Sequence, residues 1–340
     1  MLVNALIRTF CLAAVFGCVL PAQQALALTT TSTPYNGITY ITRTGESVGS
    51  RTVNMHIVEV DLRAQGVGFA FTSPGGSLDT VRQSTLGYLD QTHAQVAVNG
   101  EFFLPFPSSS PDANLVGFAA SAGTVYSGFE APTQSYAIVT NAAAINIAPD
   151  NSASVVHADT AYTDGKHVME NVTIGTAFAG SAQIVTNGQV TIPYYKDATH
   201  PDGLLTTNGT YSNSNSWYNL FNARTAIGLT QDNSKLFIFT VDNAGGSNGL
   251  SVGQVASILV NDYQVYNALN MDGGGSTALA MRDPLTGIAG MVNSQSDPGR
   301  LEGSNLVIFA MAVPEPETYA MFLAGLGLMV LVARRRCGDT

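Results

Sequence analysis

Between residues 54 and 311 the chain is written as short apolar runs rich in Val, Ile, Phe and Thr, punctuated by Gly, Asn and Ser, and no long charged or proline-rich linker divides them. Such runs read as β-strands, and their unbroken succession as one domain. They fall at 54–62, 67–72, 94–99, 136–140, 172–178, 225–229, 235–241 and 305–311. Two stretches read as helices. Over 252–269, Ser251 and Gln254 have the spacing of a capping box, and Val252, Val255, Ala256, Leu259 and Tyr263 share one face. A second helix is expected over 80–91. The predicted fold class is α+β, a single domain with a mixed, strand-rich sheet core and a few packed helices. With 340 residues, 45% hydrophobic and 11% charged, the chain can bury a sizeable core.

The two ends differ from this middle. Residues 1–27 carry Arg8, an apolar run at 10–20 and an Ala25-Leu26-Ala27 cleavage site, the pattern of a secretory signal peptide. At the other end, Val313-Pro314-Glu315-Pro316-Glu317 precedes an apolar stretch at 319–333 and the cluster Arg334-Arg335-Arg336. That order resembles the PEP-CTERM sorting signal. The resemblance covers 313–340 and implies export through the inner membrane, recognition by an exosortase, and cleavage near Pro-Glu-Pro. About 20 apolar residues are needed for a permanent span, so the shorter run suits a transient tail anchor before sorting to the cell surface or extracellular matrix. The expected mature domain is 28–312.

Cys11, Cys18 and Cys337 all lie in these ends, so the mature domain is expected to have no disulfide. Without the signal peptide and with a cut after Glu315, 10 basic and 22 acidic residues remain, a net charge of −12. Phosphate backbones are held by Lys and Arg, so this charge argues against a nucleic-acid partner.

Four polar clusters sit where strands begin or end. Asn99-Gly100-Glu101 follows one strand, Arg224-Thr225 opens another, Asp242-Asn243 follows a third, and Asp272-Gly273-Gly274-Gly275-Ser276 closes the run before it. Polar groups at strand ends on an apolar scaffold are the usual geometry of a site. The three glycines lack a Cβ, which lets backbone N–H groups approach a ligand oxygen. The loop 206–222 adds Trp217, Tyr218 and Phe221, which either stack on a sugar ring or pin the loop to the body.

Taken together, VNGEFF at 98–103, RTAIG at 224–228, VDN at 241–243, SNGLSVGQVASIL at 247–259 and NMDGGGSTAL at 270–279, followed by Gly299-Arg300 and NLVIF at 305–309, resemble the phosphodiester glycosidase family. Glu101 stands where many members have a second glycine. Asp242-Asn243-Ala244 stands where members often have Asp-Gly-Arg. The resemblance implies hydrolysis of a sugar-1-phosphodiester, for example a GlcNAc-1-phosphodiester, into free sugar and phosphomonoester on cell-envelope or extracellular glycans. On that basis Asp272, Glu101 and Arg224 are the candidate catalytic residues. Asn99, Gly100, Thr225, Asp242, Gly273, Gly274, Gly275, Ser276 and Arg300 are the candidates for substrate binding. Arg224 and Arg300 would hold phosphate oxygens, and the two carboxylates would stabilise the anomeric centre and activate water.

No metal site is expected from the five histidines, His56, His93, His157, His167 and His200, which show no zinc-ligand spacing. Asp272, Asp242 and Glu101 are the oxygen donors for which Ca²⁺ or Mg²⁺ is a candidate. The alternative function is that of a non-catalytic carbohydrate-binding or structural protein of the exopolysaccharide matrix. An exported chain meets no ATP, which argues against reading the glycine turn as a kinase phosphate loop.

Overall fold

The alternation of large and small residues along the strands sets the layering. In Val96–Asn99, Val96 and Val98 point into the main core while Ala97 faces a helix, and in Lys235–Val241, Leu236 and Ile238 point inward while Phe237 and Phe239 point the other way. Period-two alternation of this kind belongs to a strand with a different layer on each face. The computed structural model describes residues 27–129, 143–192, 220–313 and Met329. The signal peptide, nearly all of the sorting tail, the expected strand at 136–140 and most of the 206–222 loop lie outside them.

The first sheet has eight strands in the order Leu28–Tyr35, Ile38–Val48, Arg51–Asp61, Lys235–Val241, Arg224–Leu229, Asn267–Asn270, Ala182–Thr186 and Gln189–Val190. The second has five, in the order Ala289–Met291, Leu279–Arg282, Val96–Asn99, Asn305–Phe309 and Gly68–Phe71. Their facing sides enclose the main core, built from Val58, Ile227, Ile238 and Leu269 on one sheet and Val96, Val98, Leu279 and Leu306 on the other. A third sheet of five strands, from Ala119–Ser121 to Thr176–Ala179, and a small three-stranded one complete the architecture.

Two helices cover the outer faces. Helix α1, Thr85–Thr92, sets Tyr88 and Leu89 against Ala97, Ala280 and Val307 of the second sheet. Helix α2, Val252–Tyr263, buries Val252, Val255, Ala256 and Leu259 against Met55, Phe239 and Val241 of the first. The Ser251–Gln254 capping box is formed in both directions. The helix is shorter than the sequence pattern suggests, because Gln264 turns left-handed and the chain enters the strand Asn267–Asn270. Likewise α1 starts at its own N-cap, Ser84, and Thr80–Val81 is a strand.

The described residues are thus mostly β, and α+β fits them only loosely. The sheets are not mixed either: every strand pairing among the described residues is antiparallel. One pair of second-neighbour strands, which run parallel, is joined by a helix. Lys235–Val241 and Asn267–Asn270 lie on either side of Arg224–Leu229, both antiparallel to it, and α2 makes the crossover between them.

That crossover positions the site. Asn270 pairs with Ala226 in the first sheet, while Leu279 pairs with Val98 in the second, so the segment from Asp272 to Thr277 is the corner at which the chain changes sheets. Asn99, fully buried, ties the corner down. Its Oδ1 accepts from Thr225 Oγ1 (2.8 Å) and Ala278 N (3.1 Å), and its Nδ2 donates to Asp272 O (2.8 Å). Among the described residues no helix is long and apolar enough to cross a membrane. Asn99→Ala leaves three buried polar groups without their partner, and denaturant titration is expected to show a loss of about 3 kcal/mol. A loss under about 1 kcal/mol would mean that the cross-sheet tie contributes little.

Candidate functional site

The sheet corner opens onto a cavity of about 200 Å³ with two unlike walls. One is aromatic, formed by Phe102, Phe103 and Phe106. The other is polar and runs from Asp272 through Gly273, Gly274, Gly275 and Ser276 to Arg300, with Asn222 alongside. A larger cleft of about 630 Å³ lies at the opposite end of the first sheet, around Thr230 and Tyr266, and contains none of the predicted site residues.

Asp272 lies two residues past the strand Asn267–Asn270, on the cavity wall. Its Oδ1 accepts from Gly273 N (2.8 Å). Burial pushes its pKa up to about 6, against the opposing effects of the Ser276 hydroxyl, the Gly273 N–H and the Arg300 charge. A carboxylate poised there can change protonation state near neutral pH, which is the property required of a general acid or base.

Arg300 is held in a fixed pose. Its Nε donates to Asp297 Oδ2 (2.8 Å), its Nη1 donates to Ser276 Oγ (3.2 Å), and its guanidinium carbon lies 4.8 Å from the centroid of the Phe106 ring. Gly275 makes room for it, since a Cβ there would fall 2.2 Å from Nη2. Phe106 packs edge-on to Phe103 with ring centroids 5.9 Å apart, and its loop is pinned by Arg82, which donates to the carbonyls of Pro105, Ser108 and Asp112.

The glycine turn acts differently from a plain amide cradle. Gly273 N is taken by Asp272, Gly274 N donates to Ala223 O (2.8 Å), and Ser276 N and Thr277 N close a 3₁₀ turn. The turn's main contribution is therefore the space it leaves for Arg300.

Several predicted residues stand behind this cavity and do not line it. Arg224 is buried, donates to the carbonyls of Leu250 (3.2 Å) and Leu220, and backs onto Gly273. Thr225 is spent on Asn99. Gly100 is needed for packing, since a Cβ there would meet Ser304 Oγ at 2.4 Å and Phe71 at 2.9 Å. Asp242 accepts from Asn293 Nδ2 (3.3 Å) and Ser294 N (3.1 Å) and lies 3.3 Å from His56 Nε2. Asn293 in turn bonds Thr277 O and Leu279 N, so Asp242 braces the far end of the glycine turn.

Glu101 points into the interior. Its Oε1 accepts from Ala179 N (2.6 Å) and its backbone N–H donates to Ser304 Oγ. Burial pushes its pKa well above the usual carboxylate range, against the Ala179 hydrogen bond and with a further push from Asp79. Asp272, Asp242 and Glu101 accordingly do not converge, and among the described residues no group of three His, Cys, Asp or Glu side chains is arranged to hold a metal.

The phosphodiester glycosidase family profile matches residues 92–309, a span that contains the glycine turn, Asp272 and Arg300. The chain belongs to this family. The PEP-CTERM protein-sorting motif matches residues 312–336. Among solved structures, the catalytic domain of zebrafish N-acetylglucosamine-1-phosphodiester alpha-N-acetylglucosaminidase, auto-inhibited by its pro-peptide, is similar at 20% identity and a TM-score of 0.54, with 85% of each chain covered. A hypothetical protein from Synechocystis is similar at 15% identity and a TM-score of 0.57, covering 85% of this chain and 64% of that one. At these identities the likeness is one of fold. No curated protein matches the chain in sequence.

The sequence did not point to three parts of this cavity region. Phe106 lies in a Pro- and Ser-rich stretch with no strand or helix pattern, and only its exposed ring on the cavity wall marks it. Asn222 sits at the end of the polar loop, where it accepts from Asn243 Nδ2 (3.2 Å) and Ala223 N (2.9 Å). Glu302 is one acid among 24, two residues after Arg300; in the fold it is buried with a pKa well above the usual range, through burial first and the Asp272 charge second. Of the aromatic loop only Phe221 is among the described residues here, and Arg51 lies 3.4 Å over its ring.

Two outcomes follow from these placements. Gly275→Ala is expected to leave the fold intact, since only the tip of a flexible side chain must move, but to displace the Arg300 guanidinium from Ser276 and Phe106, as a crystal structure of the variant would show. Glu101 has a raised folded-state pKa, so its contribution to stability is complete below its ordinary value and lost as pH rises through the folded one. Denaturation curves at pH values above the ordinary glutamate range should therefore show a smaller decline with pH in Glu101→Gln than in the parent chain.

Proposed function

We propose that this phosphodiester glycosidase hydrolyses a sugar-1-phosphodiester into free sugar and a phosphomonoester, acting after export on cell-envelope or extracellular glycans. One observation carries the reading: Asp272, a carboxylate tuned to about 6, and the fixed cation Arg300 face one small cavity whose opposite wall is aromatic.

The parts suit that chemistry. Arg300 and the Ser276 hydroxyl receive the phosphate oxygens and carry the negative charge that grows there as the anomeric C–O bond breaks. A phosphomonoester leaves readily, so charge neutralisation weighs more than a strong general acid. Asp272 serves the anomeric centre, either bonding to it or taking the proton of the water that does. In both cases water's hydroxyl ends on the sugar. The aromatic wall offers Phe106 to a sugar ring face and keeps water away from Arg300. Asn99, Thr225, Arg224 and Asp242 hold the corner in place, which is positioning, with no contact to the reacting atoms. The sorting motif at 312–336 supports export, recognition by an exosortase and surface delivery. Chelation followed by addition of Ca²⁺ or Mg²⁺ tests whether a cation joins the phosphate.

The decisive assay uses residues 28–312 with UDP-GlcNAc and a GlcNAc-1-phospho-sugar diester and measures free sugar and phosphomonoester. Turnover is expected to rise with pH through about 6 as Asp272 ionises. Asp272→Asn should lower kcat about 100- to 10,000-fold, and Arg300→Ala should lower kcat/KM about 10- to 100-fold. Folded protein that binds these diesters but releases no sugar would overturn the reading in favour of a matrix-binding role.

A further inference from the structure

Glu302 is the buried acid for which the reading above has no use. Its backbone is fixed by two hydrogen bonds to Gln83, 3.0 Å to its carbonyl and 3.1 Å from its N–H. Its side chain is 2% exposed, and Oε1 has no hydrogen-bond partner among the described residues. Ser276 Oγ, which accepts from Arg300 Nη1 (3.2 Å), lies near enough to both the Asp272 and the Glu302 carboxyls to favour their charged forms. The charged groups around Glu302 are Asp272 from the glycine turn, Arg300 and Asp297 from its own loop, and Arg82, which follows the strand Thr80–Val81.

A buried carboxyl beside a second one at the cavity edge cannot ionise together with it without a penalty, because the Asp272 charge opposes a charge on Glu302. Asp272 faces the cavity, is partly exposed and has a backbone N–H on Oδ1, all of which favour its charged form. Glu302 has none of these. We propose that Glu302 is a positioning residue that holds the proton of an Asp272–Ser276–Glu302 cluster, so that Asp272 is the charged member and Arg300 keeps its positive charge for a phosphate. An ionised Glu302 would spend that charge internally. The burial of Glu302 and the negative charge of Asp272 both act in the direction this assignment needs. Its link to turnover rests on the proposed hydrolase reading; the position of the proton does not.

Infrared difference spectroscopy of the full domain with ¹³C-labelled glutamate tests the proton directly. At neutral pH, parent minus Glu302→Gln should show the loss of one protonated-glutamate carbonyl band. Should that variant fail to fold, Glu101→Gln in the labelled protein must still retain one such band. Absence of both signatures means that Glu302 is ionised and overturns the proposal. In sugar release, the parent should lose activity as pH rises through the ionisation of Glu302, whereas Glu302→Gln should keep the acid limb near pH 6 and lose the alkaline fall. An unchanged alkaline limb would overturn the assignment, since a merely structural role leaves the pH profile as it was. If the parent chain releases no sugar from any diester, the hydrolase reading fails and the infrared result alone decides where the proton lies.

Discussion

The side chain of Asn99 is the interaction on which the site geometry depends. Two sheets pack face to face through apolar contacts, which are non-directional and would tolerate small slips of one sheet over the other. Three hydrogen bonds from one fully buried amide remove that freedom, because they join Thr225 of the first sheet to Ala278 and Asp272 of the corner between the sheets. Polar bonds inside an apolar core are costly to leave unmade, so they select one register. Asp272 inherits its position from that register.

The same dry interior that stabilises the fold supplies the chemistry. Burial raises Asp272, Glu101 and Glu302 together, but the consequences differ with their partners. Asp272 retains a backbone N–H, a hydroxyl and a nearby cation, and comes to rest near neutrality. Glu101 and Glu302 have fewer compensating partners and are pushed further. One physical effect thus leaves one carboxyl near neutrality at the cavity and raises two others inside the fold.

The crossover through α2 brings the ends of Lys235–Val241 and Asn267–Asn270 to the same edge as the start of Arg224–Leu229. Motifs that lie far apart in the chain meet there because antiparallel strands on either side of a central one end together. Arg224, Asp242 and Thr225 are part of this meeting as supports for the turn, and the charged groups lining the cavity itself are Asp272 and Arg300.

Much of this was legible in the sequence, because it depends on local pattern. Period-two apolar runs specify strands, the Ser251–Gln254 spacing specifies a helix start, and three glycines after Asp272 specify a turn that can pass close to another group. The strand pairing was not legible, since parallel and antiparallel partners present the same apolar runs; a mixed sheet was expected and an antiparallel one is found. The roles of the acids were equally hidden. Glu101 follows a strand just as Asp272 does, yet one turns to Ala179 inside the fold and the other to the cavity, and Glu302 has no motif of its own. The sequence by itself determined which residues would form the elements and the corner, because those choices are made over a few neighbouring residues. Only the tertiary structure decided which carboxyl faces the cavity and which are buried away from water, because desolvation and charge are set by groups that are distant in the chain.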